Sequence, residues 1–391
     1  MSLPTININI SSNGLELSIA DIQKIPGLVI TGATVSGANK VTAGTSYQIF
    51  SLQEAVNLGI EETGTNAFAY KHIAAFYEKA KKGAELWFMV VTAATTMEDM
   101  ADIENPFAQK LLADSQGKVR VLGIIKKSGT TETISNGVDA DVDLAVIKAQ
   151  ALASDYSSRY YPVRIIISGN KFNGNVADLK DYTTTENEKV AILLANNDGS
   201  KEGSIGMLLG RLASDPVQRK ISRVKNGAVE PTAAYFTNGE KVETLDTAWN
   251  AIDNKGYIFL RSFANRSGYY FTSDRTLTKP DNDFKSLARG LVMDKAVLIT
   301  YGVLVDELSD EVLAAANGTI HPAIIKTWQH NIENNLDQLM VQTKELSGAK
   351  AKIDANQAVL QTDNINVELR LLPVGYSDFI TVNIGFTLNL E

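Results

Sequence analysis

The chain has 391 residues, 44% hydrophobic and 21% charged, with a formal net charge of −8. This is globular composition with room for two or three domains, and its acidic balance argues against nucleic acid or an anionic membrane as main ligand, because neutralising phosphates takes a basic face. There is no Cys, which excludes disulfides and thiolate metal sites.

Residues 5–10, TININI, alternate with period two and read as a half-buried strand. The start MSLPTININI has neither the basic nor the apolar region of a secretory leader. GLVITG (27–32) reads as a second strand, followed by a Ser/Thr/Gly-rich loop. SLQEAVNLGI opens like a capped helix, with Ser51 and Glu54 at capping-box spacing. NAFAYKHIAAFYEKAKKG is a stronger helix: Phe68, His72, Ala75, Phe76 and Lys79 share a face, lysines sit at its C-terminal end and Gly83 stops it. ELWFMVV, KVRVLGIIK (118–126), PVRIIISG (162–169) and VAILLAN (190–196) read as buried strands. DVDLAVIKAQALASDYSSRY and a segment from Gly203 read as helices between or after them. Strands alternating with helices predict parallel pairing with helices on both faces, an α/β unit over roughly 25–250.

From about residue 256 the texture becomes α+β. A strand (257–263) leads into NRSGYYFTSDRTLT, taken as a loop at a strand end. A helix over 281–316, broken near Thr300–Val305, follows. Its LVMDKAVLITYGVLV run carries Asp294 and Lys295, so it is not expected to span a bilayer. Another helix runs from Pro322 to about Leu346 and stops at Gly348. Its stripe Ile325, Trp328, Ile332, Leu336 and Leu339 is expected to face the core. Three strands are expected near 350–354, 364–372 and 378–390.

The last of these, FITVNIGFTLNLE, puts Ile380, Val382, Ile384, Phe386, Leu388 and Leu390 on one face. A strand of that length exceeds the usual five or six residues, and both chain ends are alternating strands without an edge-blocking Pro or Lys. Either both termini pair within their own domain, or each completes a sheet in a neighbouring copy, which would propagate head to tail as a helix or stacked rings.

The enzyme-like motifs are each incomplete. VITGATVSGANK imitates a TGxxxGxG phosphate loop, but Asn39 stands where the last Gly belongs. Tyr77 and Lys81 have YxxxK spacing, but lie only about 40 residues after that loop. Gly203, Gly206 and Gly210 lack the Lys-Ser/Thr of a P-loop and read as close helix packing. DADVD (139–143) begins like a calcium loop, but Leu144 and Gln150 fill its Gly and Glu positions, so these acids are expected to cap the next helix. The three histidines, His72, His321 and His330, have no metal-site spacing. No catalytic, cofactor or metal residue is assigned. Arg261, Arg266, Asp274 and Arg275, with Tyr269, Tyr270 and Phe271, suit a subunit interface or a tight corner better than catalysis.

GYIFLRSFANRSGYYFTSDRTLT followed by DFKSLARGLVMDKAVLITYGVLVDEL resembles the C-terminal domain of contractile tail sheath proteins of myophages, R-type bacteriocins and related injection systems. VELRLLPVGYSDFITVNIGFTL is similar to the closing hairpin of those proteins, and IGMLLGRLASDPVQRKISRVKNGAV to one of their branches. FSLQEAVNLGI and FYEKAKKGAELWFMVV resemble their N-terminal regions. The likeness is strongest over 203–391, weaker over 25–95 and thin over 95–200.

The resemblance implies a non-enzymatic, cofactor-free structural protein that polymerises around an inner tube and contracts to drive the tube through a target envelope. The implied layout is an N-terminal β-arm (1–20), an outer α/β region (21–250), an inner α+β sheath domain (251–377) and a C-terminal β-arm (378–391). Ile6, Ile8, Ile10, Ile380, Val382, Ile384, Phe386 and Leu388 would carry strand exchange onto a 350–372 acceptor sheet. Arg219, Lys220, Arg223 and Lys225 would supply lattice contacts, and Lys326, Glu333, Asp337 and Lys344 would meet the tube. Implied partners are further copies of the chain, the tube protein, and baseplate and tail-terminator proteins, with no nucleic acid and no membrane insertion. Assembly is expected in the bacterial cytoplasm. Two other functions fit parts of the pattern: another β-augmenting assembly protein, such as a tail terminator or surface-layer-like lattice, and an α/β nucleotide-binding enzyme.

Overall fold

The computed structural model describes residues 24–307, 311–315, 318–357, 361 and 365–382. Its centre is a seven-stranded sheet whose apolar runs leave little for water on either face. The strands are β1 (Ile25–Thr31), β2 (Ser46–Ile49), β3 (Leu86–Val91), β4 (Val119–Ile125), β5 (Arg164–Ser168), β6 (Val190–Leu193) and β7 (Tyr257–Ile258). Their spatial order is β7-β6-β5-β4-β1-β3-β2, parallel throughout except for the antiparallel edge strand β2. Leu28, Val29, Ile30, Phe88, Val90, Ile124 and Ile166 are fully buried, as two-sided coverage of a parallel sheet requires.

The covering helices are α1 (Leu52–Asn57), α2 (Ala67–Lys79), α3 (Met97–Ala101), α4 (Ala108–Asp114), α5 (Ala140–Ser158) and α6 (Ile205–Ser214), with α7 (Trp249–Asn254) and α8 (Leu287–Leu304) following. Two glycines show which face each takes. Gly27 and Gly123 occupy adjacent register positions of the β1–β4 ladder, so their Cβ directions are opposite. A Cβ on Gly27 would meet Leu111 of α4, and one on Gly123 would meet Ile205 and Leu209 of α6. Helices α4 and α6 therefore lie on opposite faces. The Tyr156 hydroxyl donates to the Gln109 carbonyl and ties α5 to the α4 side.

Capping follows the sequence closely. The Ser51 hydroxyl accepts from the Glu54 amide at 3.3 Å, and the Glu54 carboxylate accepts from the Phe50 amide at 2.9 Å. Asp139, first of the calcium-loop look-alikes, caps α5 through the Asp141 amide at 3.1 Å.

Several expectations need correction. The stretch from Asn265, taken as a loop, supplies a strand, β9 (Arg266–Phe271), which pairs with β8 (Leu260–Phe263) of the expected 257–263 strand in a hairpin turning at Asn265, whose φ is +61°. The next helix, α8, begins at Leu287 rather than near 281, because Ser286 and Asp274 cap it there, and it ends at Leu304 in a 3-10 turn, Val305–Glu307. Strand β7 pairs with β6, and the chain divides into two compact units, residues 1–308 and 309–391.

In the second unit, α9 (Pro322–Leu336) continues as a π-turn, Asp337–Val341. It does not reach Leu346. That residue starts β10 (Leu346–Ile353), which pairs antiparallel with β11 (Val367–Pro373). Gly348 thus lies within a strand instead of ending a helix. Ile325, Trp328, Ile332 and Leu336 are buried as expected, but the π-turn puts Met340 inside and leaves Leu339 half-buried. Ile320, Ile325, Trp328 and Ile353 form this unit's core, flanked by Val312, Ile324, Ile365 and Val367.

Candidate functional site

The carboxyl ends of parallel strands are where an α/β sheet of this kind ordinarily binds ligands. Here the chain's own side chains occupy them. Thr31 Oγ1 accepts from the Lys127 amide at 2.8 Å, and the Asn170 amide group donates to the Lys126 carbonyl at 2.8 Å. Ser168 Oγ accepts from the Gly203 amide, and the Glu202 carboxylate from the Ser128 amide. The look-alike phosphate loop is clamped too. The Asn66 side chain accepts from the Ala33 amide at 2.7 Å and donates to the Ala33 carbonyl at 3.0 Å. A Cβ at Gly32 would lie 2.7 Å from Asn66 Oδ1, so this glycine makes room for Asn66. The Tyr77 hydroxyl is buried, and its pKa is pushed up chiefly by that burial, the wrong direction for a general base. Among the described residues no group of three acidic, His or Cys side chains gathers as a metal site.

The Arg/Tyr stretch forms a corner within the chain. Arg275 pairs with Asp253 at 2.8 Å. Asp274 is 2% exposed, accepts from the Ala288 amide at the start of α8, and lies 3.8 Å from Lys220. The Tyr269 hydroxyl donates to Glu243, and the buried Tyr270 packs edge-on against Phe263. Arg261 stacks over Phe263, whereas Arg266 is exposed near the hairpin turn.

Other charged candidates are also engaged internally. Arg219 pairs with Asp215, Lys220 lies by Asp274, and Arg223 hydrogen-bonds Asn226; Lys225 is exposed. On α9, Glu333 pairs with Lys350 at 2.9 Å and accepts from the Ala351 amide at 3.0 Å, so it holds β10 to its helix. Lys326, Asp337 and Lys344 are exposed.

Of the strand-exchange residues, Ile6, Ile8, Ile10, Ile384, Phe386 and Leu388 lie outside the described residues. Ile380 and Val382 are described. They are 78% and 69% exposed, beside Phe379 at 92%, and residues 374–382 form no ladder. A run of large apolar side chains facing water is the feature one expects of a surface that meets a partner.

One cluster escaped sequence reasoning. Arg164 opens β5 and is 2% exposed. Its guanidinium donates twice to Asp294 of α8, at 2.8 and 3.0 Å, and once to the Glu188 carbonyl. A Cβ at Gly290 would lie 2.0 Å from its Cζ, so Gly290 makes the space. The signal was Asp294 within the mostly apolar run LVMDKAVLI of α8, where a buried carboxylate requires a partner.

Residues 3–275 match the family model described as DUF2586, N-terminal domain, and residues 283–391 match DUF2586, C-terminal domain. No curated protein matches the chain. Among solved structures, the helical sheath of the anti-feeding prophage in its contracted state is similar over the full length of both chains, with a TM-score of 0.64 at 14% identity. A chain of that prophage's baseplate, six-fold symmetrised, gives 0.61 at 14% identity, covering 99% of this chain and 100% of its own. The contracted sheath complex of an extracellular contractile injection system, PVC, gives 0.60 at 14% identity, covering 99% and 98%. At such identity the likeness is one of fold. The chain belongs to the DUF2586 family, and its fold is that of contractile injection system sheath chains.

Proposed function

We propose that this protein is the subunit of a contractile sheath, polymerising around an inner tube and shortening to drive it through a target envelope. The observation that carries the proposal is the full-length likeness to a helical sheath chain, with neither chain leaving a domain unmatched. The exposed apolar run Phe379–Val382 supports a C-terminal ribbon that adds a strand to the next copy, with the β10–β11 hairpin as acceptor. The 5–10 strand would act likewise at the other end. In this reading the outer region is 21–250, the inner domain 251–377 and the arms 1–20 and 378–391. Exposed Lys326, Asp337 and Lys344 would face the tube, while Arg266 and Lys225 remain for lattice contacts. Baseplate and terminator proteins complete the particle, which assembles in the bacterial cytoplasm. The role is structural, and the strand ends that would hold a nucleotide are filled by Asn170, Glu202 and Thr31. Electron microscopy of the purified chain tests the proposal. Hollow tubes or cogwheel rings are expected; monomers at high concentration, with or without tube protein, would refute it.

A further inference from the structure

The first compact unit exposes an aromatic and aliphatic patch where the end of α5 meets α8. Val297 and Tyr301 on α8 and Val305 in the turn that follows stand one helical turn apart in a row, and all three are exposed. Tyr160, just past α5, stacks on Tyr301 with 4.2 Å between ring centroids. Tyr161 beside it lies over Gly117, where a Cβ would run into its ring. This helix end is an uneasy place for a tyrosine. The Tyr161 amide donates to the Tyr156 carbonyl at 2.9 Å and the Tyr160 amide to the Ser157 carbonyl at 3.1 Å, which sets Tyr160 at φ +62°. Gly or Asn ordinarily fills that left-handed position, and a bulky residue there is strained. The strain gains little burial in return, since Tyr160 and Tyr161 remain 48% and 47% exposed.

A second apolar set lies toward the other end of the same helix. Leu144, Ile147 and Ala151 are exposed in a row on α5, Ile147 to 58%. At 1.5 Å per residue this set is roughly 20 Å from Tyr160 along the helix axis. Its border is acidic on one side, where α3 packs against α5 and brings Glu98, Asp99, Asp102 and Glu104 around a single cation, Lys148, which pairs with Asp102 at 2.7 Å. On the other side Asp143 and Lys180 offset each other. The tyrosine end of the first patch is bordered by exposed Lys118 and Arg159, with Asp155 paired to Arg159; Asp306 lies at the far end, after Val305. Half of three tyrosines and part of two valines come to about 400 Å², whereas a standard interface takes about 800 Å² from each partner. Such a patch is too small to hold a dimer by itself and suits a contact made among copies already gathered in a lattice. A polar lattice cannot use one face against itself, so the contact needs two different faces, and the chain exposes two. We propose that the tyrosine patch of one copy seats on the Leu144–Ile147 face of α5 in the next copy, with Lys118 and Arg159 toward the acids of α3. Joining unlike faces, the contact runs in one direction and propagates. It rests on the sheath reading for the lattice that gathers the copies.

The chain has no Cys of its own, so introduced cysteines report on these faces alone. The full chain carrying both Val297→Cys and Ile147→Cys, concentrated and treated with a short bismaleimide, should give a ladder of dimers, trimers and longer multimers on a denaturing gel. Either substitution alone should give no dimer. Dimers from Val297→Cys alone would overturn the pairing, because the patch would then meet itself. Tubes in electron micrographs without a ladder would overturn the contact and leave the sheath reading in place. A ladder without tubes would uphold the contact and remove the sheath, and the absence of both would remove both. Tyr160→Gly supplies a second measurement, since it puts the residue that this helix end favours in place of the ring. Its unfolding temperature should not fall, while the protein concentration needed for tubes should rise about tenfold, the effect of truncating a well-seated interface side chain. A Tyr160→Gly chain that is less stable yet assembles at the wild-type concentration would mean that the ring serves only its own fold, and would overturn the proposal.

Discussion

Gly206 and Gly210 lie one turn apart on α6, and each faces a carbonyl oxygen of α2. A Cβ on Gly206 would sit 1.9 Å from the His72 oxygen, and one on Gly210 would sit 2.4 Å from the Phe76 oxygen. Backbone atoms cannot rotate aside, so Gly206→Ala must push the helices apart. It should cost about 2–3 kcal/mol, the upper part of the overpacking range, in urea unfolding. Gly348→Ala is the control, because nothing lies within 4 Å of its Cβ position, and it should be neutral. His72 sits at the same crossing. Burial, reinforced by Lys71 and opposed by Asp198, lowers its pKa from 6.5 to about 3. Between those values the unfolded chain binds a proton that the folded chain refuses. The folded state therefore loses stability as pH falls below 6.5, by up to roughly 1.4 kcal/mol per pH unit, until about pH 3. His72→Gln should flatten that part of the stability–pH curve. These single-residue roles were only partly legible. The glycine spacing announced close packing, but its partner helix did not. Glu333 looked available because sequence cannot show that Lys350, 17 residues on, comes within reach, whereas Asp215 and Asn226, four and three residues from Arg219 and Arg223, are local partners that the sequence does show.

At the scale of elements, the start of α8 depends on residues from two segments. Ser286 Oγ accepts from the Arg289 amide at 3.2 Å, Asp274 Oδ2 from the Ala288 amide at 3.1 Å, and the Asp274 carbonyl from the Leu287 amide at 2.8 Å. Asp274→Ala leaves a buried amide without its acceptor and should destabilise the protein by about 1–2 kcal/mol in thermal or chemical unfolding. Asp274→Asn retains an acceptor and should lose less. A loss equal to that of Ala would mean that the nearby Lys220, and not the cap, is what Asp274 serves. Elements whose pattern is local were readable: β3 and β6 as unbroken apolar runs, β4 and β5 as apolar runs that carry one Arg each, Arg120 and Arg164, and α1 from its capping box. Those that depend on remote pairing were not. Strand β9 looked like a loop because Arg266 and two tyrosines suggest a surface. The end of α9 was misplaced because a π-turn, which leaves no composition signal, separates it from a strand beginning at Leu346.

For the whole molecule, alternation of strands and helices made the α/β class legible, while the extent of the first compact unit, through α8 to residue 308, was not, because the texture from about residue 256 reads as α+β. The ends of the chain pose the remaining question. Among the described residues, the second unit's core is built from Ile320, Ile325, Trp328 and Ile353, with Ile365 and Val367 packed against it. Phe379, Ile380 and Val382 are held out to solvent instead. Deleting residues 380–391 should therefore leave unfolding temperature and helix content close to those of the full chain. It should also abolish tubes, since each copy would lose the strand it gives to the next. A stronger form follows from the direction of the contact. A truncated copy can accept a strand but cannot give one, so mixed into the full-length protein at a few per cent it should end growing filaments and shorten tubes in electron micrographs. Tubes of normal length from truncated chains alone would remove the ribbon from assembly, and collapse of the truncated fold would return it to the subunit's own core.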